Sequence, residues 1–269
     1  MGAASPGTRR GRRVSATAQE LLAVAEEAAD AAAAVLVRHA ARGAAEQVRA
    51  KSTPTDLVSA ADLEAEAAIR AVLAARRPDD AILGEEGDDT AGTTGLRWVV
   101  DPLDGTINFL FGIPQWSVSV ACEGQAGVIL DPVRGERFTV AAGDPARLDG
   151  RELRASQATD LGQVMLATGF GYDTEVRRAQ GAKVARVLPH VRDIRRLGSA
   201  ALDLAWTAAG RFDAYYEYGV QAWDIAAGVL LCRAVGLEVR ELAPEGPLDR
   251  GGILVAPPAV IDELAALLV

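Results

Sequence analysis

Between Trp116 and Gly143 the chain carries three runs rich in Val, Ile, Phe and Thr. These are WSVSVACEG, AGVILDPV and GERFTVAAG, parted only by Gly-Gln and Arg-Gly pairs. Such runs, broken by turn residues at short intervals, fold as an antiparallel meander. ARLDGRELRAS continues it with an Asp-Gly hairpin signal. From about residue 156 the period changes. VMLATGF and FDAYYEYG read as strands, and DTEVRRAQGAKVARVLPHV and VQAWDIAAGVLLCRAVG as helices. DIRRLGSAALDLAWTAAG starts with a strand-like edge and turns at Gly198-Ser199 into a helix. LEVREL, GGILVA and PPAVIDELAALLV end the chain as strand, strand and helix. Alternation of this kind is the mark of an α/β arrangement. The chain therefore divides into an α+β half over 16–155 and an α/β half over 156–269. No repeat or long linker parts them, so they pack as one unit.

Ahead of the meander, residues 16–42 read as a long Ala-rich helix, and the basic stretch 1–15 as a disordered tail. Lys51 to Asp56 reads as a loop. Ser59 reads as an N-cap with Asp62 as its capping-box partner. The helix that follows carries Leu63, Ala67, Ile69, Val72 and Leu73, and AILGEEG is a short strand ending in Glu85 and Glu86. The net charge of −9 excludes a general binder of nucleic acid or anionic membrane. Two cysteines inside apolar runs, Cys122 and Cys232, point to a reducing, cytoplasmic setting without a disulfide framework. No run of about 18 uncharged apolar residues predicts a membrane span.

The chemistry concentrates in WVVDPLDGTINF, residues 98–109. A Val-rich strand stops at Pro102 and turns at Gly105, with Asp101 and Asp104 at the stopping point. Gly105, Thr106 and Asn108 then start a helix or turn whose amides face outward. Carboxylates attract cations, and such amides attract phosphate. In the second half Asp224 opens an apolar helix, where it also complements the helix dipole. Glu217 sits at a strand end. Glu85, Asp101, Asp104 and Asp224 are thus four carboxylates at element ends. Two carboxylates about 4 Å apart repel by roughly 4 kcal/mol at an effective dielectric of about 20, so a crowded set needs cations. His39 and His190, the only histidines, lie in no candidate motif. An all-oxygen donor set favours Mg²⁺ over Zn²⁺.

With these residues the chain resembles the inositol monophosphatases, among the lithium-sensitive, Mg²⁺-dependent sugar phosphatases. The resemblance rests on GEEG at 84–87, DPLDGTINF at 101–109, GSAALDLAWTAAGRFDAYYEYG at 198–219 and WDIAAG at 223–228. It implies a layered αβαβα fold, usually dimeric, and two to three Mg²⁺ ions. Glu85, Asp101 and the carbonyl of Leu103 would hold the first ion. Asp101, Asp104 and Asp224 would hold the second, with a looser third near Glu85. Thr106, supported by Asp62, would orient the attacking water, and amides around Gly105 and Thr106 would cradle the phosphate. Ser199, Ala200 and Glu217 would contact the inositol ring, with Gly198 and Arg195 beside them. Lys51 matches a loop lysine near the active site.

The resemblance implies direct hydrolysis of inositol 1-phosphate, a small phosphorylated polyol. Relatives with the same motifs act on histidinol phosphate, fructose-1,6-bisphosphate or 3′-phosphoadenosine 5′-phosphate. An aspartyl-phosphate mechanism would place its two aspartates two residues apart, whereas Asp101 and Asp104 are three apart. A regulatory binding protein on the same fold is the rival of another class.

Overall fold

The computed structural model describes residues 16–42, 49–50, 57–58, 60–244 and 251–269. The basic tail, Lys51 with its loop, and the expected cap Ser59 lie outside the described residues.

Helix α1 (Ala18–Arg42) buries Leu21, Ala25, Ala28, Ala29, Ala32, Val35 and Leu36, a stripe repeating every three to four residues. The strand pair β1 (Arg49–Ala50) and β2 (Leu57–Val58) leads to α2 (Ala60–Arg76), which packs on α1. The buried face of α2 is not the apolar set expected from the sequence. It is Ala61, Asp62, Ala65, Glu66, Ile69 and Leu73, while Leu63 is half exposed and Ala67 faces solvent. Two carboxylates one turn apart, Asp62 and Glu66, therefore point inward.

β3 (Ala81–Gly84), β4 (Arg97–Asp104), the short α3 (Thr106–Leu110), β5 (Ser117–Cys122), β6 (Ala126–Asp131), β7 (Glu136–Ala141), β8 (Arg147–Leu148) and β9 (Arg151–Glu152) follow. Apart from α3, they form a sheet of seven strands in sequence order. Only β3 and β4 run parallel. The expected Asp-Gly hairpin joins β8 and β9, with Asp149 and Gly150 both at positive φ.

β10 (Met165–Thr168), α4 (Thr174–Val187), β11 (Asp193–Arg195), α5 (Ala200–Ala208), β12 (Ala214–Tyr218), α6 (Ala222–Ala234), β13 (Glu238–Leu242), β14 (Gly252–Ala256) and α7 (Ile261–Leu268) make up the rest. Their five strands run in the order β11-β10-β12-β14-β13. The alternating part is parallel, and β14 joins β12 and β13 antiparallel.

The layers follow from which faces are apolar. Val118, Val120 and Cys122 of β5 pack toward α1 and α2, and Ala121 packs the other way, toward α5 and α6. Along β6, Val128 and Ile129 part in the same manner. Every position of β5 and β6 is buried because helices cover both faces, and that accounts for their unbroken apolar runs. A third core lies between the five-stranded sheet and α4 and α7, around Leu166, Tyr216, Leu254, Ile261 and Leu264. The order is helix, sheet, helix, sheet, helix: the layered αβαβα arrangement. The middle helices α5 and α6 belong to the second half of the chain but pack on the sheet of the first.

Candidate active site

β4 ends in a bulge, and the bulge makes the site. Asp101 pairs with Ser119 of β5 and Asp104 with Ser117, so three steps on β4 match two on β5. In a regular strand, residues three apart face opposite ways. One extra residue reverses the parity, so Asp101 and Asp104 face the same side. Pro102, which cannot donate to a ladder, sits in the irregular stretch. Val100 and Leu103 both pack into the core under α1 and α2, while Ala121, two residues from Ser119, packs toward α5 and α6. The two aspartates therefore look toward the helices of the second half.

Those helices arrive with their N-termini foremost. Ser119 Oγ donates to the carbonyl of Trp223 at 3.5 Å, which seats the start of α6 beside Asp101. Ser117 Oγ lies 3.4 Å from Ser199 Oγ, the N-cap of α5, beside Asp104. Two positive helix ends thus face the two carboxylates. Asp224, in the first turn of α6, accepts from the Gln221 N–H at 2.6 Å. Burial, followed by the Asp104 charge, holds its carboxyl well above the usual range.

Glu85 enters from the opposite edge. β3 and β4 are parallel with Gly84 beside Val100, so the next residue on each strand brings Glu85 alongside Asp101. Burial first, then the charges of Glu85, Asp104 and Asp224, hold the Asp101 carboxyl well above its ordinary value. Asp101 also accepts from the Leu103 N–H at 3.0 Å. Asp104 accepts from Ser199 Oγ at 2.5 Å and from the Ala201 N–H at 2.7 Å. Burial nevertheless pushes its carboxyl up to about 6.

Gly105 turns the chain into α3 at φ 98°, a left-handed conformation. A Cβ there would lie 2.9 Å from the Gln115 carbonyl oxygen. The first residue of α3, Thr106, directs its hydroxyl to Asp62 Oδ1 at 3.0 Å and to the Leu103 carbonyl at 3.1 Å. Asp62 is fully buried. The pair expected at Asp62 and Thr106 is thus in contact across 44 residues of sequence.

On the far side, Gly198, Ser199 and Ala200 form the turn into α5, and Glu217 comes from β12. Tyr215 donates to Glu217 Oε2 at 2.9 Å. Burial pushes the Glu217 carboxyl up to about 7, against the pull of Tyr215 and Arg196. Two arginines stand near this turn. Arg195 is held on the β11 edge by Asp193 at 2.6 Å and by the Ile194 carbonyl at 2.9 Å. The charge of the next residue, Arg196, pulls the Glu217 carboxyl down, and its Nη1 would lie 2.6 Å from a Cβ on Gly198.

Several positioning residues were not evident in the sequence. Ser117 and Ser119 read only as strand residues. Asn108 Nδ2 donates to the Gln115 and Leu197 carbonyls at 2.7 and 2.8 Å, tying α3 to the turn before α5. Its place at the helix start was legible, but its bonds to two distant carbonyls were not. Asp203, almost fully buried on α5, is held well above the carboxylate range by burial and then by Glu217 and Asp104.

Among the described residues no three acidic, histidine or cysteine side chains form a coordination shell by themselves. The donor chemistry still fits a hard cation. Asp101, Asp104 and Asp224 are raised by burial first and then by neighbouring carboxylates, Glu85 acting on all three, and no basic side chain is among the main influences on any of them. Oxygen donors without a counter-charge suit Mg²⁺ better than a softer ion.

The model of the inositol monophosphatase family matches residues 17–269. An inositol-1-monophosphatase of Mycobacterium leprae is 45% identical over 235 residues, covering 82% of this chain and 81% of its own. The Nus factor SuhB of Pseudomonas aeruginosa is 40% identical over 248 residues, 88% of this chain and 91% of its own. Among solved structures, Mycobacterium tuberculosis SuhB superposes with a TM-score of 0.79 at 38% identity, covering 94% of this chain and 96% of its own.

Proposed function

This chain belongs to the inositol monophosphatase family of phosphoric monoester hydrolases, and on that premise we propose that it hydrolyses inositol 1-phosphate with Mg²⁺. The observation that carries the reading is the bulge at Pro102-Leu103. It turns Asp101 and Asp104 onto one face, opposite the start of α6 with Asp224 and beside the Thr106–Asp62 pair.

Glu85, Asp101, the Leu103 carbonyl, Asp104 and Asp224 would hold two Mg²⁺ ions, with a third more loosely near Glu85. Bound there, the ions supply Lewis acidity toward the phosphoryl group and acidify water. The side chains do the rest. Asp62, buried and fixed on α2, accepts the hydrogen bond of the Thr106 hydroxyl and leaves the Thr106 lone pairs to receive a water hydrogen. That orients the water for in-line attack, so no phosphoenzyme forms. The turn at Gly105 and Thr106 presents backbone amides to the phosphate oxygens. Ser199, Ala200 and Glu217 define the polyol side, with Gly198 opening the turn. Arg195 and Arg196 flank this side, and the charge of Arg196 reaches Glu217.

Phosphate release from inositol 1-phosphate, histidinol phosphate, fructose-1,6-bisphosphate and 3′-phosphoadenosine 5′-phosphate, with Mg²⁺ and with or without Li⁺, tests the substrate. Preference for inositol 1-phosphate supports the proposal, and preference for another ester moves the substrate and keeps the site. Label from ¹⁸O-water enters phosphate directly. Asp101→Asn abolishes turnover with the fold retained, and unchanged activity overturns the metal assignment. A second reading, a regulatory binding protein, is favoured by the Pseudomonas relative named as a Nus factor. Under that reading, inactive Asp101→Asn would still carry out the regulatory role. A homodimer, the usual state in the family, is part of the proposal and is checked by light scattering.

A further inference from the structure

The turn that delivers Glu85 is built around another carboxylate, and this observation lies outside the ligand set. Glu66, on α2, is 2% exposed. Its Oε2 accepts the backbone N–H of Glu86 at 2.8 Å, and its Oε1 accepts from Arg70 Nε at 2.7 Å. Arg70 Nη1 in turn donates to Thr90 Oγ1 at 3.3 Å, and Thr90 bridges back to Ile82 of β3. This ion pair, its carboxylate buried and its guanidinium partly exposed, thus holds the 84–90 segment at Glu86 and at Thr90.

The same pair explains the glycines of GEEG. A Cβ on Gly84 would lie 2.5 Å from Glu66 Oε1 and 2.7 Å from Arg70 Nη2. A Cβ on Gly87 would lie 2.6 Å from Glu66 Oε1 and 2.9 Å from Arg70 Nη2. Both glycines vacate the volume that the ion pair occupies. Their place in the motif is set by α2 as well as by the turn itself.

From this juxtaposition we infer that Glu66, with Arg70, is a positioning residue that fixes the Glu85 backbone for cation binding. The inference rests on the reading of Glu85 as a Mg²⁺ ligand. Glu66 touches neither substrate nor ion. It holds the residue next to the ligand, as groups behind metal ligands do. A freely moving turn would have to be ordered when the ion binds, and affinity would fall accordingly.

The test uses the whole chain, freed of metal, with Glu66→Gln, the double variant Glu66→Ala/Arg70→Met, and Glu85→Gln. The double variant avoids leaving one buried charge unpaired, and Glu66→Gln keeps an acceptor oxygen for the Glu86 N–H. Mg²⁺ binding is measured by titration calorimetry and exchange of the 84–90 amides by mass spectrometry. Steady-state kinetics follow at saturating Mg²⁺. The double variant is expected to weaken Mg²⁺ binding by about 10–100-fold and to speed exchange at Glu86, with Glu66→Gln recovering most of both. KM for the phosphate ester at saturating Mg²⁺ should stay within about twofold, because uniform substrate binding is untouched. Faster exchange with unchanged Mg²⁺ affinity overturns the inference, as does a KM change without an affinity change. If the double variant does not fold, Glu66→Ala takes its place: unchanged Mg²⁺ affinity and exchange in it overturns the inference, and a loss in both supports it. Should Glu85→Gln itself bind Mg²⁺ normally, the underlying ligand reading fails. Weakening by Glu85→Gln but not by the Glu66 variants refutes the positioning role alone.

Discussion

Ser199→Ala separates a helix cap from a carboxylate clamp. Ser199 Oγ accepts from the Leu202 N–H at 3.3 Å, capping α5, and donates to Asp104 Oδ2 at 2.5 Å. Loss of the cap costs about 1 kcal/mol whatever the charge on Asp104. Loss of the second bond costs about 1.5–3 kcal/mol when Asp104 is ionised and about 0.5–1.5 kcal/mol when it is neutral. Burial sets the Asp104 carboxyl at about 6. The metal-free protein therefore holds Asp104 mostly neutral at about pH 5.3 and ionised at about pH 8. The variant should lose about 2 kcal/mol at the lower pH and about 2.5–4 kcal/mol at the higher. Removing a donor to the charged form also pushes the Asp104 carboxyl further up, which is the same effect seen as a titration. Thermal unfolding with a chelator present, at roughly 2–4 °C per kcal/mol, reads the difference as a gap of about 3–5 °C between the two pH values. An equal loss at both would refute the argument and leave Ser199 as a cap only.

The remaining predictions concern pH, the turn and the arginine. Glu217 stands at about 7 against an ordinary 4.5, so the folded state keeps a proton that the unfolded chain releases. Metal-free stability should then fall by about 3 kcal/mol from this group as pH rises from about 4.5 to about 7. A shallower fall in Glu217→Gln, seen by denaturant unfolding, checks it, and an identical slope contradicts it. Gly105→Ala combines positive φ with a contact 2.9 Å from the Gln115 carbonyl. It should cost about 2–4 kcal/mol in urea unfolding and lower phosphate release, and a fully stable variant would show that the turn is not constrained as described. Arg196→Met should push the Glu217 carboxyl further up and move the pH profile of KM. Arg195→Met should stay within about twofold, and the reverse ranking would restore Arg195 to the site.

Local signals reached a long way in this chain. The Val-rich runs of β5 to β7, the Asp149-Gly150 hairpin and the alternation after residue 156 each express a period or a turn within a few residues. So do the aspartates at the end of β4 and Asp224 in the first turn of α6. Net charge excluded a polyanion binder, and the scarcity of histidine narrowed the cation chemistry, without any fold. These are properties of composition and near neighbours, which a sequence carries directly.

What folding decided is parity, reach and burial. Whether Asp101 and Asp104 share a face depends on one unmatched residue against β5, and no spacing along β4 alone reveals it. That the charge of Arg196 reaches Glu217, from a segment more than 20 residues earlier, is set by how β11 and β12 share one sheet. Nothing beside Glu66 in the chain marks it out; its role is set by the GEEG turn, which closes over it from 20 residues away. The sequence determined which side chains could do the chemistry. Their convergence was left to the tertiary structure, because register and packing are set by contacts between segments distant in the chain.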